Sequence, residues 1–224
     1  MRWVWLAMSV AVAVAVATGT AQAQPVAVDI SARTVRQDVF PPSVVAFPEH
    51  VVASPQVEIA NIDGFRPVRM DIYRERAAPE PRPAVLWVHG GGWSRGDART
   101  SGAFANWPAV LASLAARGFV VASVDYRLSG EARFPAPVQD VRAGVAYLRA
   151  HASEFGVDPS RLYLWGGSAG GHLAALAALT CGTAEYAPPP STGRLDRGEI
   201  AVQAATPLPR PDDCVQGVAL WYGV

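Results

Sequence analysis

Short, almost fully apolar runs separated by helical periods constrain this chain more than any other feature. Ala84-Val85-Leu86-Trp87-Val88, Phe119 to Val124 and Leu162-Tyr163-Leu164-Trp165 are each too short for a helix and too continuously apolar for a strand with one wet face. They read as strands buried on both faces. Between them, Trp107 to Arg117 places Val110, Leu111 and Leu114 on one helical face, with Gly118 as its stop. Val138, Val141, Val145 and Leu148 recur at three and four residues, which marks a second amphipathic helix. Parallel strands need crossover connections, so this alternation predicts an α/β fold: a mostly parallel sheet with helices on both faces. Val57-Glu58-Ile59 and Val68 to Tyr73 alternate as earlier strands, and Val218 to Tyr222 reads as a last one.

The flanks divide the chain into regions. Arg2, the apolar run Trp3 to Ala17 and the small-x-small site Ala21-Gln22-Ala23 read as a signal peptide over residues 1–23, with cleavage before Gln24. The run is shorter than the ~20 residues of a spanning helix, so no membrane span is expected after cleavage. The chain is therefore expected to be secreted or periplasmic. Residues 24–55, proline-bearing and without a clear period, read as a loosely packed N-terminal arm. Residues 56–224 read as the folded domain, with an irregular, proline-rich insertion over 181–214. Cys181 and Cys214 bracket that insertion, and export to an oxidising compartment predicts that they form a disulfide.

Chemistry concentrates where the third central run ends. Gly166-x-Ser168-x-Gly170 follows a buried strand and precedes a helix of small residues, Ala169 to about Thr180. A serine on so tight a strand-to-helix turn takes strained backbone angles, and its flanks must lack side chains to avoid clashes. The turn would expose the hydroxyl above the next helix's N-terminus. An ordinary glycine-rich turn is the competing reading, and the strand before and helix after favour the nucleophile turn. The first central run ends in His89-Gly90-Gly91-Gly92. Acyl transfer needs N–H donors where the tetrahedral oxyanion forms. The amides of Gly91 and Gly92, with that of Ala169 after the serine, are the expected oxyanion hole. His89 is expected to hold the loop rather than to act as a base.

Other chemistries drop out. All 19 basic residues are arginine, so no P-loop lysine, Schiff-base lysine or Ser-x-x-Lys nucleophile exists. Nineteen acidic residues balance them, so no electrostatic footprint for nucleic acid appears. Ser168 stands where a dinucleotide fingerprint needs its second glycine. The four histidines and two cysteines lack metal-ligand spacing, so no metal site is expected. Arg95-Gly96-Asp97 spells an adhesion tripeptide but sits just after the glycine loop, so an adhesion role is discounted.

Taken together, His89-Gly-Gly-Gly-Trp93, Asp125-Tyr126-Arg127, Asp158-Pro159-Ser160-Arg161 and Gly-Gly-Ser168-Ala-Gly-Gly-His172 resemble the series found in esterases of the hormone-sensitive-lipase and bacterial feruloyl-esterase-like groups. The resemblance runs from about Val57 to Val224. It implies an α/β-hydrolase fold, a small-molecule carboxylic ester as substrate, no cofactor, Ser168 as nucleophile, the glycine loop as oxyanion hole, and structural roles for Asp125 and Asp140. In such folds the triad order is Ser, then Asp or Glu, then His. After Ser168 the only histidine is His172, on the nucleophile's own helix and expected to point down it. Asp196, Asp212 and Asp213 fall in the insertion and are expected to be solvated or turn-forming. The triad acid and histidine, with the last strands, are therefore expected beyond Val224. The chain reads as a fragment that is nearly inactive alone and that leaves its final strand an exposed apolar edge. Two alternatives stand beside this reading: a serine peptidase of the same fold, and a non-catalytic exported binding fragment.

Overall fold

The computed structural model describes residues 44–102, 104–188, 190–191 and 212–223. The signal peptide, most of the arm and Asp196 lie outside the described residues. Among the described residues, seven strands and four helices follow one another: β1 (Val45–Ala46), β2 (Val51–Ala60), β3 (Val68–Glu75), β4 (Arg82–Val88), α1 (Trp107–Ala115), β5 (Val120–Asp125), α2 (Ala136–Ala150), α3 (Ala152–Phe155), β6 (Val157–Gly167), α4 (Ala169–Leu179) and β7 (Gly217–Trp221). They form one sheet of order β1-β2-β3-β5-β4-β6-β7. The first three pairings are antiparallel, and β5, β4, β6 and β7 run parallel.

The double-faced burial expected of the central strands is what divides the core. Leu86, Val88, Ala122, Val124, Leu162 and Leu164 face α2 and α4 on one side. Trp87 and Val121 face Trp107 and Leu111 of α1 on the other, where Val51, Ala53 and Tyr73 join them. α1 begins on an Asn106 cap, whose Oδ1 accepts the Ala109 amide at 3.2 Å. Beyond its end, the Gly118 amide bonds the Ala115 carbonyl at 3.0 Å, with Gly118 at φ +89°, a conformation glycine adopts freely. Among the described residues no helix is long and apolar enough to cross a membrane.

The arm gives way to structure earlier than the sequence suggests. Val51, Val52 and Ala53 are buried, and β2 is in register with β3 from Val51↔Glu75 onward. The alternation is hidden because the pairing slips between Ser54 and Val57, where Pro55 precedes Gln56 at φ +55°. A bulge inverts the inside–outside pattern, and it is also where a strand tolerates proline.

The end of the insertion differs from expectation as well. Asp213 is buried, not solvated, and pairs with the equally buried Arg142 of α2. Its other oxygen accepts the Gly182 amide at 3.0 Å. Asp212 is exposed and pairs with Arg149, whose guanidinium also donates to the Cys214 carbonyl at 2.8 Å. The Cys181–Cys214 disulfide is formed, with a Cα–Cα distance of 4.9 Å. It ties the end of α4 to the entry of β7. Two arginines of α2 and one disulfide thus set where β7 joins the sheet, beside the nucleophile strand. As the sequence suggests, β7 is an edge with Val218, Leu220 and Trp221 exposed.

Candidate active site

Parallel register brings the two glycine-rich turns together. Val88 of β4 pairs with Gly166 of β6, so both strands end at the same height. The chain then leaves β4 toward α1, on one face of the sheet, and leaves β6 toward α4, on the other. A crevice opens at the carboxyl ends of strands whose connections diverge in this way. It is a cavity of about 420 Å³ whose walls include Gly91, Gly92, Ser168, Arg95, Trp87 and Tyr222.

Ser168 takes φ +53° and ψ −126° at the head of α4. That is a strained region for a residue with a side chain, and such strain persists only where the surroundings impose it. Here the glycines impose it. A Cβ on Gly166 would stand 2.2 Å from the Gly170 carbonyl oxygen, and one on Gly170 would stand 2.0 Å from the Val88 oxygen. The turn is therefore wedged against itself and against the end of β4. The Trp221 carbonyl of β7 accepts the Ser168 amide at 2.9 Å and holds the turn from the third side.

The glycine loop is as tightly built. Gly91 and Gly92 have φ of +123° and +61°. A Cβ on Gly91 would come within 2.1 Å of the Arg95 carbonyl oxygen, and one on Gly90 within 3.3 Å of Ser168 Cβ. Among the described residues nothing accepts the amides of Gly91, Gly92 or Ala169. The last of these is one of the free donors that open a helix. Gly91 and Gly92 line the same cavity as Ser168, and Ala169 follows that serine in the chain.

His89 is wholly buried at the base of the loop. Its Nδ1 lies 2.8 Å from the Gly90 oxygen, and its ring stacks on Tyr126 at 4.2 Å between centroids. Burial pushes its pKa down, which favours the neutral ring. Tyr126 donates its hydroxyl to the His89 carbonyl at 2.9 Å, so the Asp125-Tyr126-Arg127 segment braces the loop from behind. Arg127 pairs with Asp140 at 2.7 Å, and both are buried. Burial raises the Asp140 carboxyl and Arg127 opposes the rise. Asp125 is raised for the same reason against a weaker opponent, Arg66 at 4.0 Å.

His172 packs edge-on against Trp93 at 5.5 Å and lines a smaller cavity with Phe134 and Leu173. Neither it nor any other described histidine or carboxylate bonds the Ser168 hydroxyl. Two ion pairs escaped the sequence reading: the buried Arg142–Asp213 pair, and Arg99–Asp71 at 2.6 Å, in which a half-exposed arginine reaches a buried aspartate and pins the far end of the glycine loop to β3. Neither has a local signal, since the partners lie 71 and 28 residues apart.

A strained serine between glycines, at the carboxyl end of a central parallel strand and beside a glycine-rich amide loop, places the chain among α/β-hydrolases of the esterase and lipase group. More narrowly, the BD-FAE family model matches residues 70–211, and the chain belongs to that family. Esterase LipC of Mycobacterium tuberculosis is 39% identical over 118 residues, covering 52% of this chain and 28% of LipC. Carboxylesterase NlhH of the same organism is 37% identical over 116 residues, covering 52% of this chain and 35% of NlhH. Among solved structures, a bacterial heroin esterase superposes with a TM-score of 0.52 at 37% identity, covering 61% of this chain and 41% of its own. Thermogutta terrifontis esterase 2, phosphorylated by paraoxon, does so at 0.56 and 26%, covering 77% and 57%. The chain spans about a third of the length of the curated relatives it matches.

Proposed function

We propose that this chain carries the nucleophile and the oxyanion hole of an exported serine hydrolase that cleaves carboxylic esters. The observation that carries the proposal is Ser168 at φ +53°, held beside the free amides of Gly91, Gly92 and Ala169. In the first step the Ser168 hydroxyl attacks the ester carbonyl and its proton passes to a base. The three amides receive the oxyanion, the carbon–oxygen bond to the alcohol breaks, and the alcohol leaves with the proton. Water then attacks the acyl-serine by the same route and releases the acid. The base and its orienting acid come from outside the described residues, because none of those residues reaches the serine. The signal-peptide pattern of residues 1–23 supports export.

The test uses the longest natural product of the gene. Paraoxon, which phosphorylates the Thermogutta esterase, is expected to add one diethylphosphoryl group to the peptide carrying Ser168, read by mass spectrometry. Ser168→Ala is expected to lose the adduct and ~10⁶-fold of the turnover of a short acyl ester, as loss of a serine nucleophile does elsewhere. Turnover retained in Ser168→Ala, or an adduct on another residue, refutes the assignment.

A further inference from the structure

The walls of the Ser168 cleft are glycines, aromatic rings and small hydroxyl residues, with one exception. Arg95 is the single charged residue among the described residues that line it. Its backbone forms the floor under Gly91, and its Cγ would stand 3.2 Å from a Cβ placed there, so its stem runs along the oxyanion loop. Nearly every other arginine of this domain that borders a functional element is engaged: Arg66 with Glu131, Arg99 with Asp71, Arg127 with Asp140, Arg142 with Asp213. The Arg95 guanidinium makes no ion pair or hydrogen bond among the described residues. Asp97, two residues on, gives a carboxylate oxygen to the Arg99 amide at 2.8 Å and does not line the cleft. The loop is fixed just after Arg95. Ser123 Oγ donates to the Ala98 carbonyl at 2.6 Å, and a Cβ on Gly96 would collide with the His89 ring at 2.6 Å.

Resting on the esterase reading, we propose that Arg95 selects esters that carry a carboxylate on the group bound along the oxyanion loop, such as half-esters of dicarboxylic acids. A guanidinium offers a planar fork that matches a carboxylate in two parallel hydrogen bonds. A cation in the wall of the cleft that holds Ser168 attracts such an anion and orients the ester. A neutral ester gains neither effect. The reacting groups do not change: the carboxylate is bound and keeps its charge, while the ester bond a few atoms away is cleaved.

The experiment measures methanol release from monomethyl glutarate and from its neutral, near-isosteric amide, methyl glutaramate, with the longest natural product of the gene. The unaltered enzyme is expected to favour the anion in kcat/KM. Arg95→Gln is expected to lower kcat/KM for the anion by about 10–100-fold, mainly through KM, as the loss of a hydrogen-bonded charge does. The ratio of kcat/KM for the anion to that for the neutral ester should fall with it, because binding of the neutral ester never used the charge. Arg95→Lys should recover part of the preference, and added salt should weaken it. Turnover of both esters without preference for the anion, or a preference that survives Arg95→Gln, overturns the proposal and leaves the esterase reading standing. Failure to turn over either ester overturns both.

Discussion

Replacing Asp213 by alanine should be among the most destabilising single changes outside the nucleophile turn. Asp213 and Arg142 are each 2% exposed, and the carboxylate takes both the Arg142 Nε–H and the Gly182 amide. Without it the guanidinium stays buried with the Thr183 carbonyl at 3.1 Å as its remaining partner. Breaking a buried ion pair from one side costs about 3–5 kcal/mol, because the surviving charge is left without compensation. In a domain of this size each kcal/mol moves the melting temperature by ~2–4 °C, so the loss should be roughly 6–20 °C. The assay is urea and thermal unfolding under non-reducing conditions, with the Cys181–Cys214 bridge intact. That bridge should keep the segment near α2, so the change isolates the charge pair. The double variant Arg142→Met/Asp213→Leu should recover at least half of the loss, since removing both charges also removes the unpaired one. A cost below about 1 kcal/mol for Asp213→Ala, the range of solvated surface positions, would show that Asp213 meets water and refute the reasoning.

Two further outcomes follow from the geometry. Gly170→Ala would put a methyl group 2.0 Å from the Val88 oxygen and 2.4 Å from the His89 oxygen, both backbone. It should cost about 3 kcal/mol or more and spread β4 from the nucleophile turn, whereas Gly130→Ala, which meets nothing within 4 Å, should stay within ~0.5 kcal/mol; equal unfolding midpoints for the two variants would contradict the packing described. Asp125 has its carboxyl raised by burial more than Arg66 lowers it. Its protonated form therefore favours the folded state, an effect complete below the ordinary aspartate value of ~3.9 and lost as pH rises through the elevated one. Asp125→Asn mimics the protonated form, so its urea midpoint should match that of the unaltered protein in acid and exceed it above that window. Parallel midpoint–pH curves would rule this out.

What the sequence determined by itself was whatever local chemistry enforces. A run such as Ala84–Val88 is buried on both faces because it offers no polar side to water, and that property makes it a central strand. Gly166 and Gly170 announce the turn around Ser168 because no side chain fits at either beside the neighbouring carbonyls, a demand written into two nearby positions. Gly91 and Gly92 do the same for the amide loop at their positive φ angles. The tertiary structure decided what depends on distant partners. Whether Asp213 meets water or Arg142 turns on the packing of β7's entry against a helix 71 residues earlier, and nothing beside it in sequence separates it from exposed Asp212. Val51 to Ala53 were buried by pairing with β3 across a bulge that erased their alternation. Arg95 carried no assigned role until parallel register set the ends of β4 and β6 side by side and made its loop one wall of the cleft. Burial and charge pairing belong to surfaces brought together in space, so only the folded sheet could assign them.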